Sequence, residues 1–132
     1  MKKILILFVL LFITEKGFSQ IYKWRSVLFS SRHNSKDYDW TKWTDWVESD
    51  ILIVAGNQRV KVYSSTTQTY DMIGEVDKTY DKNDNPIYTV MCVDEDGSKC
   101  RMVWYHNATE GSFVTFSFSN LELMYKVKSL DQ

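Results

Sequence analysis

Proline is nearly missing from this sequence: Pro86 is the single one in 132 residues. Proline-rich linkers and collagen-like repeats are therefore excluded. Glycine is also scarce, with five residues, so no Gly-rich tether joins two folded units. The longest apolar run, Ile4 to Ile13, has ten residues. That is half of the roughly 20 needed for a membrane-spanning helix. No block of like charge occurs and the net charge is −1, which leaves no electrostatic footprint for nucleic acid. Histidine and cysteine number two each. His33 lies in the polar stretch SSRHNSKDYD and His106 follows VWY; neither has a neighbour at metal-ligand spacing. G-x-S-x-G, Gly-rich phosphate loops and H-E-x-x-H are all absent. The expectation is a protein that is not an enzyme and needs no cofactor or metal.

What is present begins with the N-terminus. MKKILILFVLLFITEKGFSQ combines a basic n-region, Lys2 and Lys3, with the short apolar run and small residues at Gly17 and Ser19. This is the pattern of a signal peptide over 1–19, cut after Ser19. The mature chain, 20–132, is then one domain without a membrane span, exported to the periplasm or secreted. Losing Lys2, Lys3, Lys16 and Glu15 takes its net charge from −1 to −3.

Beyond residue 50 the chain alternates apolar and polar residues in short runs separated by turn residues, the pattern of an all-β domain. Strands are expected at 21–30, 50–55, 58–64, 68–76, 86–94, 98–106, 112–118 and 121–128. Three hairpins can be registered. In DILIVAGNQRVKVYSS a Gly56-Asn57 turn pairs Ala55 with Gln58, Ile53 with Val60 and Ile51 with Val62. In SFVTFSFSNLELMYKVK a Ser119-Asn120 turn pairs Phe118 with Leu121, Phe116 with Leu123 and Val114 with Tyr125. In PIYTVMCVDEDGSKCRMVWYHN a loop of Glu95, Asp96 and Gly97 pairs Asp94 with Ser98 and sets Cys92 opposite Cys100. An even cysteine count in an exported chain points to a disulfide between these two. Eight short strands joined by tight turns suit a small antiparallel meander barrel of the lipocalin-like (calycin) type, with a β-sandwich as the alternative.

Aromatic residues are plentiful, at 15%. DYDWTKWTDWVESD holds Trp40, Trp43 and Trp46 at steps of three. With Asp39 as N-cap, this spacing predicts a short helical segment near 39–48, lying across one barrel mouth. Packing there is the leading reading for these rings, with Trp46 turned inward. A stacking platform for a sugar or an aromatic ligand is the other, using Trp40 and Trp43. Trp24, Trp104 and Tyr105 complete the candidate ligand-binding set, while Tyr63, Tyr70 and Tyr88 could line a cavity or an outer patch. DKNDNP, Asp81 to Pro86, opens like a calcium loop but has Pro86 where the sixth-position glycine belongs, so it reads as a hairpin loop. Asn107-Ala108-Thr109 matches a glycosylation sequon.

WTDWVESDILIV, RVKVYSSTTQTYDM and CVDEDGSKCRM together resemble a group of small exported proteins from gut-type Bacteroidota, over most of the mature chain. The resemblance implies export and brings no activity with it. A weaker likeness runs to the lipocalin-like barrels, which carry G-x-W in the first strand where this chain has Tyr22-Lys23-Trp24. The expected function is an exported binding module for a small apolar or glycan-like ligand. The alternative is an interaction module for another envelope or secreted protein.

Overall fold

The computed structural model describes residues 21–34 and 39–130. The expected signal peptide lies outside them. Nine strands follow one another: β1 Tyr22–His33, β2 Val47–Glu48, β3 Leu52–Gly56, β4 Arg59–Tyr63, β5 Thr67–Tyr80, β6 Pro86–Asp94, β7 Lys99–Asn107, β8 Gly111–Ser117 and β9 Leu121–Ser129. Each of β3 to β8 pairs antiparallel with the next, and β1 pairs with both β3 and β9. The result is a closed eight-stranded antiparallel meander barrel, with β2 as an extra strand on β1. Closure removes the sheet edges that an open sheet of this size would expose.

The core follows the two-residue period of the strands. Ile53, Ala55, Val60, Val62, Val90, Cys92, Cys100, Met102, Val114 and Phe116 are all buried. Tyr70 stacks on Phe116 at 4.7 Å, and Tyr125 meets Phe116 edge-on at 6.2 Å. β1 changes face partway along. Ser26 pairs with Val127 but Leu28 pairs with Lys126, so Val27 is an extra residue. Before this bulge Trp24 joins the core; after it Phe29 does, packed on Tyr125 at 5.0 Å.

Two hairpins have the expected register: Phe116 faces Leu123, Val114 faces Tyr125, and Cys92 faces Cys100. Gly97 takes the left-handed conformation there, with φ of 84°. The first hairpin differs. Its turn is Asn57-Gln58, so Ala55 pairs with Val60 and Ile53 with Val62. Gln58 holds the positive φ of 63°, and Gly56 ends the strand. The neighbouring strand decides this. Met72 donates its N–H to the Gln58 carbonyl at 2.8 Å, and Arg59 pairs with Asp71 at 2.9 Å, so the β4–β5 ladder runs on into the turn. Moving each partner by two residues keeps every side chain on its expected face.

No helix occurs among the described residues. The expected helical segment near 39–48 is instead an extended strap with β2 at its end. It follows the upper half of β1: Thr41 N–H donates to the His33 carbonyl at 2.8 Å, Thr44 N–H to Ser31 at 2.9 Å and Ser49 N–H to Val27 at 3.1 Å. Thr41 and Thr44 also accept the His33 and Ser31 amides on their hydroxyls, at 3.1 and 3.0 Å. A strand edge that needs partners outweighs a weak local helix preference over ten residues.

Burial holds the Tyr70 hydroxyl far above the ordinary tyrosine range, and it raises Tyr125 as well. The folded protein keeps these protons after the unfolded chain has lost its own, so their stabilisation is complete below about pH 10 and falls as pH rises beyond it. Urea unfolding between about pH 9 and 11 should show that decline. In Tyr70→Phe, which carries no titrating group at this position, the slope should be shallower.

Candidate functional site

The lower mouth of the barrel gathers aromatic rings from three strands. Tyr22 stacks on Trp24 with centroids 5.7 Å apart and planes at 7°. Tyr88 stacks on Trp104 at 5.4 Å and 11°. The two stacks meet where Trp24 and Trp104 approach to 6.1 Å at 58°. Trp24 and Trp104 are buried, whereas Tyr22 and Tyr88 are partly open. Tyr22, Tyr88 and Trp104 border a cavity of about 720 Å³ with Met72 and Ala55 at its apolar wall and the Asn57-Gln58 turn at its rim, and Trp24 lies behind Tyr22.

The opposite rim comes from an irregularity in β5. Between Ile73 and Asp77 the β5–β6 register shifts, and Gly74 adopts φ of 98°. A glycine inside an alternating strand is the sequence signal for such a bulge. Beyond it, residues 77–80 of β5 pair with 86–89 of β6, and 87–89 pair in turn with 103–105 of β7. Lys78 lies 5.5 Å from the Tyr80 ring and 5.6 Å from the Tyr88 ring. Glu75 is the acidic group at the cavity border. The mouth is thus a ring-lined slot whose one acidic side chain, Glu75, stands at its border.

The three tryptophans of the strap lie on the outer wall and not across a mouth. Arg32 points its guanidinium between the Trp40 and Trp43 rings, at 4.9 and 4.8 Å from their centroids, and donates to Glu122 at 2.9 Å. Its Nε is buried without a hydrogen-bond partner, which the two ring faces partly offset. Trp40 and Trp43 are therefore spent on a cation. Trp46, expected to be core, is 43% exposed and leans on Phe113 at 6.3 Å.

This placement explains a break in the strand period. Phe113, Val114, Thr115 and Phe116 are buried in succession, although alternate residues of a strand face opposite sides. Val114 and Phe116 face the core, while the strap covers the outer side. Tyr105 stacks on Phe113 at 5.3 Å and 27°. Between strap and β7–β8 hairpin runs a second depression of about 570 Å³, bordered by Trp43, Trp46, Tyr105, Phe113, Glu110 and Lys126. Of the five candidate ligand residues, then, Trp24 and Trp104 meet inside and Trp43 and Tyr105 border the outer groove, while Trp40 stacks on Arg32. Sequence reasoning missed Tyr22, Met72 and Phe113, since each looks like ordinary core by pattern.

The remaining polar candidates are occupied locally. Cys92 and Cys100 stand opposite each other as buried free thiols, without the expected bond between them. The neighbouring sulfur and burial push the Cys100 thiol up. His106 Nδ1 lies 2.8 Å from Ser112 Oγ, a cross-strand pair with no carboxylate hydrogen-bonded to it among the described residues. Asp81 accepts the Asn83 and Asn85 amides at 2.8 and 2.9 Å, so its carboxylate closes its own loop. These bonds, the Asn85 amide first, hold its pKa below the usual carboxylate range. No group of three or more His, Cys, Asp or Glu suited to a metal occurs among the described residues. No helix long and apolar enough to cross a membrane occurs among the described residues.

Fold and mouth together define a closed eight-stranded antiparallel meander barrel, an architecture compatible with a lipocalin-like fold. No protein-family model, curated protein or solved structure matches the chain.

If the Arg32 stack fastens the strap, Arg32→Leu should loosen it alone. Hydrogen exchange of the Thr41 and Thr44 amides should quicken by about tenfold or more, a local opening cost lowered by about 1.4 kcal/mol. Exchange at core amides such as Val60 and Met102 should not change.

Proposed function

We propose that this chain is an exported binding module, not an enzyme, and that it takes a small flat apolar ligand into the lower mouth. The observation that carries the reading is three rings, Tyr22, Tyr88 and Trp104, bordering one cavity of about 720 Å³, with Tyr22 held from behind by its stack on Trp24 and Tyr88 by its stack on Trp104. This volume lies in the range of about 300–1,000 Å³ typical of small-molecule sites. Half-open rings at a cavity border gain apolar contact when a ligand covers them. The competing reading, docking of another envelope or secreted protein, would use the outer wall, where Ile73 and Met91 stand opposite each other and exposed. Export rests on the N-terminal pattern of 1–19 and on the resemblance to small exported Bacteroidota proteins, and it places the domain in the periplasm or outside the cell.

The mouth is tested with N-phenylnaphthylamine, a neutral flat fluorophore. Its emission should rise on binding while tryptophan emission falls. Tyr88→Ala should weaken binding by about tenfold, the equivalent of one lost stacking contact. Met91→Ser, on the outer wall, should leave it unchanged. Binding that survives Tyr88→Ala and disappears in Met91→Ser would favour the outer wall.

Export also bears on the two thiols. In an oxidising compartment Cys92 and Cys100 would give up two protons and two electrons to a disulfide donor and become bonded. The strand pairing supports this, because opposite residues of an antiparallel pair lie within disulfide reach. Protein from the native envelope should begin at Gln20 and yield a Cys92–Cys100 linked peptide without reductant. Cys92→Ser should then cost about 2 kcal/mol, as expected for a short closed loop.

A further inference from the structure

We propose that the groove on the outer wall is a carbohydrate-binding site, taking a pyranose ring against Trp46, Phe113 and Tyr105 and independent of the lower mouth. Three observations lead there. The first is the geometry of the rings. Phe113 forms the floor and is nearly buried, with Trp46 leaning over one flank at 6.3 Å and Tyr105 stacked on the other at 5.3 Å. Trp46 is 43% exposed, so one side of the indole meets the wall and the rest meets solvent.

The second is that the strap is fastened on both sides of Trp46 by contacts that do not involve the indole. Arg32 with Trp40 and Trp43 pins one end. Ser30 donates its hydroxyl to the Thr44 carbonyl at 2.7 Å, and Val47 pairs with Phe29 just beyond the indole. The ring is thereby presented from a segment fixed on both sides of it, which lowers the cost of ordering it on binding.

The third is the polar border. Glu110 and Lys126 both edge the groove. Among the described residues neither the carboxylate nor the ammonium has an ion-pair or hydrogen-bond partner. The Glu110 charge stands near enough to Tyr105 to help burial raise that phenol. A pyranose offers what this border and floor lack: a face of C–H groups for the rings and an equatorial belt of hydroxyls that both donate and accept. Glu110 can accept from two hydroxyls, and Lys126 can donate to a third. A wholly apolar ligand would strip water from both charges with no return. A cation or an anion would satisfy one and leave the other. A protein partner would need about 800 Å² of surface, whereas the groove, at about 570 Å³, has the size of a small-molecule site.

Affinity electrophoresis through gels containing soluble β-glucan, xylan, mannan, galactan, dextran or polygalacturonate tests this. Chitin oligosaccharides are added by titration calorimetry. The whole mature chain is used. At least one saccharide should retard or bind the protein. Trp46→Ala and Glu110→Gln, each checked for native circular dichroism and unfolding midpoint, should lose that binding by about tenfold or more. Tyr88→Ala should keep it, which separates this site from the lower mouth. Absence of binding to every saccharide overturns the proposal. So does binding that persists in both Trp46→Ala and Glu110→Gln, or binding that is lost only in Tyr88→Ala.

Discussion

β1 has to be paired along both edges, and most of the structure depends on how it manages this. On one side β9 accompanies it over nearly its full length, from Trp24 to His33. On the other, β3 reaches only from Tyr22 to Arg25. Above that point the unpaired edge would leave backbone groups without partners. The strap and β2 supply them, through Ser49, Val47 and Glu48, Thr44 and Thr41 in turn. Ser26 marks the handover. Its buried hydroxyl accepts the Ile51 amide at 2.9 Å and forms a hydrogen bond of 2.7 Å, oxygen to oxygen, with the Ser49 hydroxyl.

The bulge at Val27 serves the same closure. A strand that starts inside β3 and ends under the strap must turn, and an added residue increases twist and bends the strand. It also exchanges faces. Trp24 faces the core below the bulge, and Phe29 does so above it. The outer wall gains Leu28 and Ser30 as a result, and Ser30 fixes the strap through Thr44. One irregular residue thus sets both the aromatic floor of the lower mouth and the seat of the strap.

The barrel wall then separates two aromatic populations. Inside, Tyr22, Trp24, Tyr88 and Trp104 stack in pairs around the mouth. Outside, Trp40 and Trp43 hold Arg32, and Trp46, Phe113 and Tyr105 form an angled surface. The Arg32–Glu122 pair is half covered by these rings, so it is less weakened by water than an open surface pair would be. Past the bulge at Gly74, β5 continues along β6, and Val76 of β5 and Tyr88 of β6 both border the cavity.

Sequence alone determined eight of the nine strands, two of three hairpin registers, the facing cysteines and the all-β meander. Alternation fixes which side of a strand is buried, and Glu95-Asp96-Gly97 fixes a turn by local chemistry, so neither needs distant partners. The first turn escaped because its position depends on the Met72 amide, which belongs to another strand. Trp40, Trp43 and Trp46 escaped for a similar reason. Their spacing is equally compatible with a helical face and with a strap, and only the unpaired edge of β1 selects the strap. Arg32, Glu122 and Phe113 then decide what each ring touches. Those partners lie on β1, β8 and β9, and they come beneath the strap only when β9 closes on β1, so the roles of the rings were set by closure and not by local sequence.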